Sequence, residues 1–470
     1  MTAGARTPAG TDAAGGPDRP GFIRRLKAAV TGDPGARLVH LNNFEVERVW
    51  GRGEPGLPGA GLSFNAATVN RMEEVGVLLV DEGDTLVLKA PVDPAYETYL
   101  RGLGLAAGQV LTVDRDEPEH AVTVDALASP RLIAELAALA DGRTYLMPLG
   151  TSDDEERLSA ATGLPLAGPD ARTCKRVNGK IFSRELVDRS GLTPVPGAQC
   201  RTVGELAAAL KEHLAGGAGP VVVKESLGVS GRGLVVLDSA RRGEQLVRMA
   251  ARRGERVEVV VERWIDKQCD LNYQFIVGRD GAVEFETVKA AFTENGVHRG
   301  HLFPPALAAG HTAELKAAAQ VLGKGLAEAG YFGVAGVDAM LGRDGTLYPC
   351  LEINARFNMA TFQNRVAERL LGPGRSALAT VFDLEPRRAH GFDEIRTALG
   401  DLLLTAGPDR DATTAARGVL VTNLATLRAG APDRRSKGRL YAICVGDSPD
   451  DVNALRSRAA RALEKMVEGP

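Results

Sequence analysis

The sequence predicts an α/β protein of several domains, on three observations. Its 470 residues exceed one ordinary core, which sets an expectation of about two to four domains. Residues 37–149 alternate short apolar runs with helical stretches, the pattern of an open, mostly parallel α/β sheet. Beyond residue 190 come a small α/β unit, a larger sheet over Ala282–Gln363 and a final α/β stretch. Hydrophobic residues at 44% and charged residues at 25% are those of a globular protein.

The elements follow in order. Met1 to Gly21 is rich in Ala, Gly, Pro and Thr and reads as a disordered tail, extended to residue 35 as the N-terminal unit. Within it, Arg24-Arg25-Leu26-Lys27 reads as a short surface helix. Leu38–Leu41 is strand-like and ends at Asn42 and Asn43. These are candidate substrate contacts, because open sheets bind ligands at strand carboxyl ends, or else an ordinary strand-to-loop transition. Residues 51–61, rich in Gly and Pro, read as a loop. Val77–Val80, Thr85–Leu88, Val110–Val113 and Thr144–Met147 are the next strands. Pro130–Ala140 is a helix with Ser129 as N-cap and Pro130 at its first position. No GxGxxG occurs, so a dinucleotide site has no motif behind it.

A helical region runs from Asp153 to Ser190, and Thr193-Pro194-Val195-Pro196-Gly197 breaks it. From about Leu370 the chain resumes helix, strand and helix, with Leu440–Val445 a strand and Asp450–Val467 the last helix. These shifts divide the chain at 36–168, 169–369 and 370–470, with the small unit over about 191–262.

Composition removes several function classes. The net charge of −3, without a dense basic tract, gives no nucleic-acid footprint. No apolar run reaches the ~18–20 residues of a membrane helix. Cys174, Cys200, Cys269, Cys350 and Cys444 lie far apart with no CxxC, which argues against a disulfide framework and a zinc site and fits a reducing cytoplasm.

The most informative stretch is a hairpin. Asp338 ends the apolar segment Gly333–Val337, and Asp344-Gly345 is a turn signal between apolar runs. The second strand delivers Glu352, Asn354 and Arg356 to one face and Leu351 and Ile353 to the other. Pairing the two strands can set Asp338 beside Glu352. Two carboxylates and an amide oxygen suit Mg²⁺ shared with phosphates, at about 2.1 Å. The arginine suits an oxyanion or phosphate. The plain alternative is a hairpin with a solvated charged face.

Upstream, Pro220–Lys224 is a buried strand ending in lysine, followed by a Gly- and Ser-rich loop, Glu225 to Gly233, and a second strand, Leu234–Leu237. Glycines at Gly228, Gly231 and Gly233 let backbone N–H groups approach an anion; Ser226 and Ser230 add hydroxyls and Lys224 a point charge. This is not a Walker A loop, which needs GxxxxGK[ST] before a helix. Val257 to Ile265 is an apolar strand entering a polar turn. Glu262 is a candidate acceptor for an adenine amine, with backbone at Trp264 or Ile265 reading the ring edge and Asp270 holding ribose hydroxyls. Solvated strand ends are the alternative.

In this order the chain resembles an ATP-grasp enzyme from about Pro169 to Gln363. Lys180, in Asn178-Gly179-Lys180, matches the family's lysine before a helix, with Lys175 the lesser candidate. Lys224 and its loop match the second lysine and the glycine-rich loop. Glu262 to Ile265 match the adenine hinge, Asp270 the ribose contact, and Asp338, Glu352 and Asn354 the magnesium ligands. Arg356 matches the arginine after Glu-x-Asn. The segment 36–168 is similar to a pre-ATP-grasp domain, and 169–369 to the ATP-grasp domain with its nucleotide lid over 191–262. The region 370–470 resembles the C-terminal domain of bacterial peptide ligases of specialised metabolism. Glu225 departs from the family pattern, where many members have proline.

The resemblance implies a carboxylate–amine ligase that uses ATP and Mg²⁺, two ions per site, forms an acylphosphate, and joins an amino acid or peptide to an amine. It also implies a cytoplasmic protein, an expected homodimer, and no nucleic-acid or membrane partner. A carrier-protein thiol as acceptor and a small-molecule kinase are the alternatives. The polar stretch Glu286–His301 matches the family's substrate-covering loop. There Lys289 is expected at the γ-phosphate and Arg299 on a substrate carboxylate. His301 is a candidate substrate contact or general base; with His298 it has the spacing of two metal ligands but no evident third.

Overall fold

The computed structural model describes residues 19–58, 66–215, 219–228, 233–294, 297–406, 417–429 and 437–468. Helix α1 (Phe22–Thr31) leads into β1 (Arg37–Leu41), α2 (Val46–Trp50) and α3 (Ala66–Asn70). Then come β2 (Thr85–Leu88), α4 (Pro94–Gly102), β3 (Gln109–Thr112), α5 (Val122–Leu127), α6 (Pro130–Ala137) and β4 (Thr144–Pro148). These strands form a parallel sheet in the order β3-β2-β1-β4. Central β1 is buried from its second residue onward, as a strand covered on both faces must be.

Two expectations in this region are corrected. Val77–Val80 is not a strand: residues 71–78 form a 3₁₀ helix. A short apolar run does not separate strand from buried helix by its period. Gly76 lets this helix lie against Asn42, whose Nδ2 would stand 1.9 Å from a Cβ there. Ser129 does not cap α6 through its side chain; its hydroxyl donates to Asp125 O and accepts from Asp114 N. The tail expectation for 1–35 also changes. Residues 1–18 lie outside the described residues, but α1 buries Phe22, Ile23, Leu26 and Val30 in the core. Arg25 pairs with the buried Glu286, so this helix is docked rather than a loose surface piece.

Helices α7 (Asp153–Thr162), α8 (Ala171–Val177) and α9 (Lys180–Arg189) connect to the second unit. A capping box at Ser152 and Glu155 starts α7. Next come β5 (Gly197–Thr202), α10 (Val203–Leu214), β6 (Val221–Glu225), β7 (Leu234–Leu237), α11 (Ala240–Ala251) and β8 (Arg256–Arg263). They build a small antiparallel sheet, β5-β8-β6-β7, with its own core.

The large sheet begins with β9 (Lys267–Val277), β10 (Val283–Glu294) and β11 (Val297–Phe303). It continues through α12 (Ala309–Glu328), β12 (Gly333–Gly342), β13 (Leu347–Asn354), α13 (Met359–Leu370), β14 (Ser376–Leu384), α14 (Phe392–Leu399), β15 (Gly418–Asn423), β16 (Gly438–Gly446) and α15 (Pro449–Glu468). Its order is β13-β12-β9-β10-β11-β14-β16-β15. The expected separate C-terminal domain over 370–470 is therefore corrected. Strands β14, β15 and β16 extend the sheet that carries Asp338 and Glu352, and one core joins them to the N-terminal sheet.

Candidate active site

One row of the large sheet organises the site. Lys289 pairs with Asn272, Asn272 with Asp338, and Asp338 with Glu352, across β10, β9, β12 and β13. Cross-strand partners project to the same face, so these four side chains share it. Asn272 Nδ2 donates to Asp338 Oδ1 at 2.8 Å, and Asn354 Nδ2 donates to Asp338 Oδ2 at 3.2 Å. Burial, then the neighbouring charge of Glu352, pushes the Asp338 carboxyl up to about 6. Asp338 and Glu352 stand directly opposite each other across β12 and β13, close enough for one cation to share. The donors are all hard oxygens: two carboxylates and the Asn354 amide. Asn272 Oδ1 is buried without a hydrogen-bond partner. This set fits Mg²⁺, which takes one or two carboxylates and completes its octahedron with phosphates and water. Among the described residues no group of three or more His, Cys, Asp or Glu side chains could hold a metal.

Two lysines converge on the row. Lys180, first residue of α9, lies 3.0 Å from Glu352 Oε2 and donates to Gly228 O at 3.0 Å. Its backbone N–H donates to Ser226 O at 2.9 Å. Lys175 instead pairs with Glu54 at 2.7 Å, so Lys180 is the lysine at the carboxylates. Lys224 Nζ lies 2.6 Å from Glu262 Oε2. Burial alone would lower its pKa, but Glu262, with Glu352 and Asp338, raises it overall, so the ammonium stays charged.

The loop after Lys224 is only partly described; Ser230 and Gly231 lie outside the described residues. Gly233 has φ +73°, and a Cβ there would sit 2.2 Å from the Glu225 carboxylate. Glu225 N donates to Gly233 O at 2.8 Å, a bond that a proline at 225 could not make. The Glu225 carboxylate accepts from Leu57 N of the N-terminal segment. Ser226 is buried with its Oγ at the start of α9, 3.5 Å from Ile181 N, rather than facing an open loop.

At the hinge, Ile265 joins Val195, Met340, Tyr348 and Leu351 in a small apolar cluster. Trp264 is 53% exposed and its N–H donates to Pro220 O at 2.9 Å. The Glu262 carboxylate is turned to Lys224, not left open as an amine acceptor. Asp270 pairs with Lys267.

Arg356 extends the metal-type cluster. Its Nη2 donates to Asn354 Oδ1 at 2.8 Å, and its Nε donates to Glu47 Oε1 at 3.0 Å. Glu47, Asn272 and Gln274 were missed in the sequence. For the last two a signal existed: Asp270-Leu271-Asn272-Tyr273-Gln274-Phe275 alternates polar and apolar through a core strand.

Three expected contacts need correction. Lys289 is wholly buried, and its ammonium donates to Ala360 O and to Asn364 Oδ1, so it does not meet a phosphate in this arrangement. Burial pulls it well below the ordinary lysine range. His301 is buried against Gln363, with Nδ1 3.3 Å from Nε2, and stands edge to face with His298 at 5.0 Å. Burial, then His298 and Lys289, holds His301 well below its usual pKa. Arg299 Nη1 pairs with Asp383 on β14, a protein carboxylate in place of the expected substrate one. Helix α13 explains the first two: it lies over this face and is tied to the sheet by Gln274 Nε2 donating to Asn358 Oδ1 at 2.7 Å and Asn364 Nδ2 donating to Gln274 Oε1 at 2.9 Å.

Comparisons with known proteins identify the family and the fold. Residues 72–164 match the pre ATP-grasp domain family and residues 195–356 the ATP-grasp domain family, together more than half of the chain. The chain is 30% identical over 204 residues to a [butirosin acyl-carrier protein]–L-glutamate ligase of Niallia circulans, covering 42% of this chain and 48% of that protein. It is 26% identical over 174 residues to the carbamoyl phosphate synthase large chain of Xanthomonas campestris pv. campestris, covering 36% of this chain and 16% of that one. The chain thus spans less than half the length of each of these relatives. A biotin carboxylase–beta-gamma-ATP complex from Campylobacter jejuni superposes with a TM-score of 0.54 at 12% identity, covering 87% of this chain and 94% of that one, a likeness of fold. No helix among the described residues is long and apolar enough to cross a membrane. The chain belongs to the ATP-grasp superfamily, with a pre-ATP-grasp domain ahead of its ATP-grasp domain.

Proposed function

We propose that the chain is an ATP-dependent carboxylate–amine ligase. It activates an amino acid or peptide carboxylate as an acylphosphate, which an amine then attacks to give an amide, ADP and phosphate. The observation that carries this reading is the convergence of Lys180, Lys224 and Arg356 on the row Asp338–Glu352 with Asn354. A carboxylate does not react with an amine at neutral pH because its oxygen is a poor leaving group. Phosphoryl transfer to that oxygen needs positioning and charge neutralisation more than covalent help. Lys180 and Lys224 would hold the α- and β-phosphates, and the cluster of Ile265, Val195, Met340 and Leu351 offers the base an apolar wall. Asp338, Glu352 and Asn354 would hold Mg²⁺, which supplies charge neutralisation on phosphate oxygens. Arg356 would bind the carboxylate and the oxyanion of the tetrahedral intermediate.

A second reading keeps the activation and changes the acceptor to a carrier-protein thiol. It is favoured by the name of the Niallia circulans relative, which joins L-glutamate to an acyl-carrier protein. All five cysteines are free, which supports a reducing, cytoplasmic location.

The test is isotopic. Amino acids labelled with ¹⁸O in the carboxylate are supplied with MgATP and amine acceptors. One ¹⁸O in each released phosphate is expected. Steady release of unlabelled phosphate alongside amide product would overturn the acylphosphate route.

A further inference from the structure

Glu47 lies in α2, far in sequence from the metal-type cluster, yet it holds Arg356. Its Oε1 accepts from Arg356 Nε at 3.0 Å and also from Nη2. Both side chains are largely buried: Arg356 is 12% and Glu47 19% exposed. Helix α2 is itself fixed. Val46 and Trp50 are buried, and Trp50 Nε1 donates to Thr151 O at 2.9 Å.

A guanidinium carries five N–H donors in one plane and does not lose its charge. Here Nε–H and one Nη2–H go to Glu47. The second Nη2–H goes to Asn354 Oδ1, and one Nη1–H goes to Phe357 O at 2.9 Å. One Nη1–H is left over. Without Glu47, two of these four restraints disappear and the fork can turn about its last torsions.

We propose that Glu47 is a positioning residue that acts through Arg356, holding the guanidinium so that its remaining Nη1–H meets the oxygen of the activated carboxylate. The inference rests on the ligase reading. It makes α2, in the N-terminal segment of the chain, a contributor to the chemical step. Glutamine at 47 keeps one acceptor oxygen but loses the charge, so Glu47→Gln should lower turnover about tenfold. Glu47→Ala should lower it about 10²-fold, with the KM for ATP within about twofold of wild type.

The experiment is a double-mutant cycle on the full chain, read as hydroxamate from MgATP, the proteinogenic amino acids and hydroxylamine, which traps acylphosphates. The variants are Glu47→Gln, Glu47→Ala, Arg356→Ala and the double Glu47→Ala/Arg356→Ala. If Glu47 works through Arg356, its loss adds nothing once Arg356 is gone. An independent, multiplicative loss in the double variant would overturn the proposal. So would a parallel rise in the KM for ATP, which marks a merely structural role. Should Glu47→Ala fail to fold, Glu47→Gln carries the same comparison against Arg356→Ala. A wild type that forms no hydroxamate with any acid would remove the ligase reading and the proposal with it. An active wild type with unchanged Glu47 variants would remove the proposal alone.

Discussion

Removing the Lys224 ammonium should cost both stability and nucleotide binding, and a second substitution should separate the two. Lys224 Nζ lies 2.6 Å from Glu262 Oε2, with side-chain exposures of 18% and 7%. Lys224→Met leaves the Glu262 carboxylate buried without its partner. Breaking a buried pair in this way typically costs about 3–5 kcal/mol. The partial exposure of Lys224 reduces that to about 2–3 kcal/mol here, or a fall in Tm of roughly 2–3 °C for a chain of this length. Adding Glu262→Leu removes the orphaned charge, and replacing both ions with apolar groups is often neutral. The double variant should therefore regain most of the lost Tm while ADP affinity, measured by calorimetry with Mg²⁺, stays low. A stable single variant would refute the pairing as a structural element. Wild-type ADP affinity in the double variant would refute Lys224 as a phosphate contact.

Other consequences are as direct. Arg356→Ala should lower kcat about 10²–10³-fold, the usual effect of losing one oxyanion donor; a fall below about fivefold would remove Arg356 from that role. Glu352→Gln should abolish turnover while calorimetry still detects nucleotide, and retained turnover would contradict a metal role for Glu352. Burial raises the Glu73 carboxyl to about 8 from 4.5, so its contribution to stability is fully present below about 4.5 and lost as pH rises through 8. Glu73→Gln should therefore match wild type in Tm near pH 4.5 and exceed it by a few degrees at pH 9. Equal curves at both pH values would count against a raised Glu73.

Much of the site was legible because it is local. The hairpin of β12 and β13 is short, its Asp-Gly turn is explicit, and side chains in strands alternate, so Asp338 opposite Glu352 could be read directly. Lys224 and Lys180 sit near a strand end and at a helix start, positions that sequence marks well. What was not legible is set by distance in the chain and by packing. Glu47 and Arg356 are 309 positions apart, and nothing in the short helix around Glu47 announces its partner. Lys289 was expected in a covering loop but lies on β10, where α13 closes over it, and no local pattern shows which side of a sheet a later helix covers. Val77–Val80 was misread as a strand because an apolar run of four has no period to inspect. The C-terminal strands looked like a separate domain because pairing of β14 with β11 is a long-range event.

Whether this site joins a carboxylate to a nucleophile at the expense of ATP is decided by incubating the full chain with MgATP and amino acids or small peptides, singly and in pairs, and weighing every product. ADP together with a product lighter than its two substrates by one water is the expected result. AMP release, or ADP with a single substrate made heavier by one phosphate, would contradict the ligase.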